Sequence, residues 1–228
     1  MSLDSIFSWW ANNDRLIALL VDALGQTLAM VFTSGFVGFL FGIPLGILLH
    51  LSKKSGLLEN HALNKILSTV VNMGRSIPFI ILLVAIIPFT RFLVGSSIGT
   101  AAAIVPLTIA AIPFIARLVE GALLEVPSGL IEAAQAMGAK PAQIITKVLL
   151  PEALPGIINA ATITLVTLVG YSAMAGTVGG GGLGDVGIRY GYQRFDGSVM
   201  LITVVILVIL VQLIQSVGDY LVKHVDHR

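Results

Sequence analysis

Long apolar runs broken by single charges or short charged clusters dominate the chain. They can be measured against a hydrocarbon layer about 30 Å thick, which takes about 20 helical residues to cross. Stretch 23–49 lies between Asp22 and His50, 92–116 between Arg91 and Arg117, 153–184 between Glu152 and Asp185, and 197–218 between Asp196 and Asp219. Each is long enough to span. Arg75 and Arg91 enclose only 15 residues, a rise of about 22 Å. That span therefore extends upstream to about Leu67, with Arg75 snorkelling toward an interface or facing the interior. The pattern predicts an all-α membrane protein with five spans, at about 23–49, 67–90, 92–116, 153–184 and 197–218. Around them lie an external interfacial segment 1–22, a long loop 117–152 and a tail 219–228; the membrane-spanning body is 23–218.

Composition agrees with a lipid environment. Of 228 residues 56% are hydrophobic and 11% charged, against roughly 25% charged in soluble proteins, which excludes a soluble globule. The net charge of +1 argues against nucleic acid as a partner, and with no cysteine there is no thiolate or disulfide chemistry. Position is more informative than total. Lys53, Lys54, Lys65, Arg117, Lys140, Lys147, Lys223 and Arg228 fall on one side of the spans and Arg15, Arg91, Arg189 and Arg194 on the other. Since cytoplasmic loops carry the Lys and Arg excess, the N-terminus is outside, and the 117–152 loop and C-terminus are cytoplasmic. Leu3, Ile6, Phe7 and Trp10 repeat at helical spacing, and with Trp9 they suit an interfacial helix; a disordered leader is the alternative. No basic region precedes an apolar run, so this is not a cleaved signal.

Ser34, Gly38, Gly42 and Gly46 recur every fourth residue and make a face along which another helix can approach closely, in the same chain or in a second copy. Pro44, Pro78, Pro88, Pro106 and Pro113 predict kinked or broken helices. Two motif spacings fail on context. Gly179, Gly181 and Gly184 match G-x-G-x-x-G, but they follow a span and precede no dinucleotide-binding helix; a tight, mobile glycine connection is expected there. Gly95, Ser97 and Gly99 match the nucleophile elbow, yet His50, His61, His224 and His227 all lie on the opposite side of the membrane, so Ser97 has no base. No phosphate loop and no zinc motif occurs, so neither ATP hydrolysis nor metal chemistry can be located in the chain, and no catalytic residue is assigned.

The 117–152 loop has structure of its own. Ser128 can cap a short helix with Leu130, Ala134 and Met137 on one face and Gly138 at its left-handed end. Pro141 can open a second, with Ile144, Ile145, Val148 and Leu149 apolar, stopping at Pro151. Such helices suit a surface that docks into a partner, or lie on the membrane.

Glu132-Ala133-Ala134, then Gly138, then Val148, Leu150 and Pro151, resembles the EAA loop of the permease subunits of bacterial ABC importers, with Val where the family usually has Ile. Across about 27–217 the chain is similar to permeases of bacterial methionine uptake, notably at Arg75-Ser76-Ile77-Pro78-Phe79-Ile80, Asn159-Ala160-Ala161-Thr162 and Gly170-Tyr171-Ser172-Ala173-Met174. The resemblance implies a type I importer permease fold, a homodimer in the bacterial inner membrane, two separate ATPase subunits that hold ATP and Mg, and an external methionine-binding lipoprotein. It implies that this chain binds no cofactor and is not an enzyme. It also implies that Glu132 faces a basic residue of the ATPase, that Gly138 makes the turn, and that Val148 and Leu150 fill the apolar contact.

A zwitterionic substrate needs a polar path. Asn159, Thr162, Thr164, Thr167, Tyr171 and Ser172 in the fourth stretch are candidates, with Met174 a deformable plug near its outer end; Ser and Thr can equally bond their own helix. The competing readings are an importer permease for another small amino acid or a quaternary amine, and a secondary carrier. The carrier is disfavoured because no Asp or Glu falls within the five stretches.

Overall fold

The computed structural model describes residues 14–54 and 56–226. Among them all regular structure is helical: α1 Asp14–Ser52, α2 His61–Ser76, α3 Phe79–Ala85, α4 Ile87–Val94, α5 Thr100–Leu124, α6 Ser128–Ala136, α7 Pro141–Gly176, α8 Gly182–Val186 and α9 Gly197–Val225. The Trp9 and Trp10 interfacial reading lies outside the described residues. Residues 14–22, expected in that external segment, are instead the first turns of α1: no proline or glycine precedes Gly25, and Asp14 sits in the first turn, where the helix dipole favours it.

Among the described residues α1, α5, α7 and α9 are long and apolar enough to cross a membrane, and the bent pair of α2 and α3 makes a fifth span if counted as one. The predicted helix 67–90 is therefore broken. Asn60 caps α2 by accepting the Leu63 N–H at 3.0 Å. The helix ends at Ser76 because Ile77, ahead of Pro78, is held extended, and α3 leaves at 96°. A second break at Ile86 precedes Pro88, and Gly95 (φ 82°) closes α4 by donating its N–H to Arg91 O. Pro44, Pro106, Pro113 and Pro155 lie inside continuous helices.

Other boundaries shift as well. α5 starts at Thr100 rather than Phe92, after the left-handed Gly95 and Gly99, and runs on to Leu124. Nothing breaks it after Ala116. Glu120 is thus inside a spanning helix and only 7% exposed, which corrects the expectation that these helices carry no acid; Arg117 pairs with it at 2.5 Å. The second loop helix does not stop at Pro151. A π-turn, Ile145–Leu149, where Leu150 N–H reaches Ile145 O, widens the helix at the Lys147 carbonyl that the Pro151 ring would meet, and the chain continues unbroken to Gly176. The fourth stretch ends there, short of Gly184, and α9 carries seven residues beyond Gly218.

The chain forms two compact units. One comprises residues through Ser34, with Phe79–Leu107 and Val166–Leu213; the other comprises Gly35–Pro78, Thr108–Leu165 and residues from Ile214 on. In the first, Leu20 and Ala23 of α1 pack with Leu183, Val186, Val199 and Ile202. In the second, Leu49, Val71 and Ala116 form a buried cluster. The small-residue face of α1 packs within the chain against α5. A Cβ on Gly42 would stand 2.7 Å from Ile115 Cγ2, and one on Gly46 2.6 Å from the Ala116 carbonyl and 2.8 Å from Val119 Cβ.

Gly46→Ala should accordingly cost about 1–3 kcal/mol and lower the thermal midpoint of the detergent-solubilised protein. Gly25→Ala, whose Cβ meets nothing within 4 Å, should raise stability by about 0.5–1 kcal/mol. Equal midpoints for the two variants would contradict the close approach.

Candidate coupling loop and translocation face

α5 gives way to the loop through Val126, which is buried, and Pro127, which precedes α6 without a side-chain cap; Ser128 does not cap the helix as its sequence position suggested. α6 buries Ala134 and turns Leu130, Glu132, Ala133 and Met137 outward, with Met137 81% exposed. The predicted apolar face is thereby divided: one residue in, two out. Gly138 stands at φ 75°, its N–H donating to Gln135 O at 2.9 Å, while Ala139 N–H reaches Ala134 O at 3.1 Å. This is the paired closure that wants glycine at that position. Lys140 N–H then donates to Gln143 Oε1 at 2.8 Å as α7 begins at Pro141. Ile144 and Leu149 are fully buried, Val148 and Leu150 half-buried and Pro151 exposed.

Glu132 makes no hydrogen bond or ion pair with another described residue. It lines a cavity of about 250 Å³ with His50, Lys53, Leu123, Val126 and Gln135. On α6 the Glu132 carboxylate thus stands, without an ion-pair partner among the described residues, between exposed apolar side chains on a short helix closed at its C-terminal end.

On α7 the candidate path residues separate into two sets. Thr162, Thr164 and Ser172 are buried and donate their hydroxyls to Ile158 O, Ala160 O and Val169 O of their own helix, at 3.1, 2.7 and 2.7 Å. Gly218 of α9 lies against Thr162, leaving no space for a Cβ. Tyr171 is half-buried and stacks on Phe79 with ring centroids 4.5 Å apart and planes 2° from parallel. Asn159, Ile163, Gly170 and Met174, four and seven apart, are exposed along one side of the helix. Asn159 opens into a cavity of about 420 Å³ with Glu125, Glu152, Asp219, Asp226 and Lys223. The Met174 carbonyl receives both the N–H and the hydroxyl of Thr177, at 3.1 and 2.7 Å.

Two polar groups were not singled out by sequence reasoning. Arg117 bridges Glu120 and Asn72 Oδ1, the latter at 2.6 Å and 45 positions away; the i,i+3 pair was visible in the sequence, its burial was not. The second group fixes the glycine-rich loop. Gly182 N–H donates to Gln26 Oε1 at 2.8 Å, Leu183 N–H to Thr27 Oγ1 at 2.9 Å, and Gln26 is itself held by Asp22 at 2.7 Å. Gly99 N–H reaches Gly179 O at 2.8 Å. The expected mobile connection is therefore tied to both neighbours, and the amides that a phosphate would need are already occupied. Gly179, Gly181 and Gly182 all have positive φ, near 80°. No described histidine belongs to the unit that holds Ser97.

Residues 42–228 match the family described as binding-protein-dependent transport system inner membrane component. The chain is 66% identical over 228 residues, all of both chains, to the probable D-methionine transport system permease protein MetI of Vibrio cholerae. It is 62% identical over 164 residues to the D-methionine transport system permease protein MetI of Escherichia coli K12, covering 72% of this chain and 76% of that one. Among solved structures it is similar to the inward-facing MetNI methionine ABC transporter, with TM-score 0.92 and 59% identity over 94% of this chain and 99% of the other. An amino acid ABC transporter crystallised with histidines shares the fold at 18% identity and TM-score 0.79, over 98% of this chain and 100% of that one.

Gln26→Leu keeps the bulk of the side chain and removes the acceptor for Gly182. The variant should lose about 1 kcal/mol locally, read as faster hydrogen exchange at Gly182 and Leu183; unchanged exchange would show that Gln26 does not hold the loop.

Proposed function

Because the chain belongs to the binding-protein-dependent transport system inner membrane component family, we propose that it is the permease subunit of an ABC importer that carries methionine, both L and D, into the cell. It works as a homodimer with two ATPase subunits at its cytoplasmic face, where ATP and Mg are bound, and receives substrate from an external binding lipoprotein. The N-terminus is external and the C-terminus cytoplasmic, following the Lys and Arg excess on the side of the coupling loop.

The observation that carries the reading is the 117–152 loop. A helix closed by glycine, with Glu132 lacking an ion-pair partner among the described residues and standing between exposed Leu130 and Met137, is shaped to enter a cleft that offers an apolar floor and a basic residue. Desolvating a carboxylate is tolerable only when it finds such a partner. Energy enters here: ATP draws the ATPase subunits together, α6 moves with them, and the spans joined to it change between outward and inward access. Along the path, Asn159 and Met174 lie on the exposed side of α7, and Met174 closes the outer end. Thr162, Tyr171 and Ser172 hold the helix that carries them. A charged group at mid-membrane costs roughly 3 kcal/mol on insertion scales, so a wet path lined by groups such as Asn159 is needed for a zwitterion.

The test is uptake by proteoliposomes containing this chain, its ATPase and its binding protein. Methionine should enter only with ATP and compete with other amino acids; uptake of a different amino acid in its place would overturn the substrate assignment. Glu132→Lys should cut uptake about tenfold or more while ATP hydrolysis persists, and wild-type uptake in that variant would remove Glu132 from the coupling role. Met174→Ala should raise leak or basal hydrolysis; no change in either would leave Met174 a packing residue.

A further inference from the structure

After the π-turn Gly187–Tyr192 the chain reverses direction into α9 through Gln193, Arg194, Phe195 and Asp196. The turn is closed by Phe195 N–H on Tyr192 O at 3.2 Å, and Asp196 Oδ1 caps α9 by accepting from Ser198 and Val199 N–H at 3.0 and 3.2 Å. Phe195 is the only described non-glycine residue with positive φ, at 57°. That conformation favours glycine or asparagine and strains a bulky side chain. The ring recovers nothing from its own chain, being 92% exposed. A residue that is unfavourable in the turn and also unfavourable in water returns its cost outside the molecule.

We infer that Phe195, with Tyr192 and Arg194, is an anchor for the external binding protein; this rests on the reading of the chain as a binding-protein-dependent importer permease. Exposed aromatic rings beside an arginine are the residue types that dominate protein interfaces. The charge pattern points the same way. Arg189 is neutralised by Asp185 at 2.9 Å, and the Asp196 carboxylate is spent on the cap. Arg194 lies over the Tyr190 ring at 4.4 Å and has no acidic partner among the described residues. The loop therefore offers a protruding ring and one uncompensated cation, complementary to a partner with an apolar depression and an acidic rim. A bilayer interface, which favours tyrosine and tryptophan, gives no reason for a phenylalanine with positive φ at position 195.

The experiment is titration of methionine-loaded binding protein against the ATPase activity of the reconstituted importer. Phe195→Gly relieves the turn and so keeps the fold, checked by a thermal midpoint no lower than wild type. It should raise the concentration of binding protein for half-maximal stimulation about tenfold or more. Phe92→Ala, which removes another exposed ring, 87% accessible on α4, should leave that concentration unchanged. An unshifted titration for Phe195→Gly, or an equal shift for Phe92→Ala as expected of rings that only anchor the chain in lipid, overturns the inference. Absence of any stimulation in the wild-type importer overturns the importer reading as well.

Discussion

The close approach of α1 to α5 is the constraint on which the rest depends. In lipid, helices gain nothing from hiding apolar side chains from one another, so association comes from contact between backbones and from hydrogen bonds. Gly38, Gly42 and Gly46 provide that contact against Ala111, Ile115, Ala116 and Val119, and Ser34 adds a hydroxyl donated to Ile104 O at 3.4 Å. These positions share one stripe of α1 with Thr27 and Leu49, all buried. Within the second unit, fixing the rotation of α1 places His50, and Lys53 just past the helix end, in the wall of the cavity that Glu132 lines; within the first, Gln26 and Thr27 bond the glycine loop.

Much of this was legible in the sequence wherever a feature is local. The every-fourth-residue spacing of Ser34, Gly38, Gly42 and Gly46 announced a packing face, and the isolated Gly138 announced a left-handed helix end. Charges did not locate the helix ends, because a helix runs on until something breaks it: α5 passes Arg117 and Glu120, and α9 passes Asp219. Proline was ambiguous for the same reason. Pro78 breaks its helix and Pro151 does not, and the difference is a π-turn made by residues whose types do not announce it. Contacts between distant positions were out of reach. The bonds from Gln26 and Thr27 to the glycine loop join residues 156 apart, and nothing in an i,i+3 or i,i+4 pattern reports them.

Among candidate path residues, burial separated what composition could not. A threonine or serine in an apolar run reads as a polar lining, but Thr162, Thr164 and Ser172 satisfy their hydroxyls on the preceding turn and face inward. What is left on the exposed side of α7 is one amide, one glycine and two apolar side chains.

We propose that a partner's work enters through α6. Since the sequence contains no cysteine, a single Met137→Cys thiol on the exposed side of that helix reports its surroundings without background. Addition of the ATPase subunits should slow maleimide labelling of this thiol about tenfold or more, as burial in an interface requires. Labelling at the same rate with and without the ATPase would contradict docking at this loop.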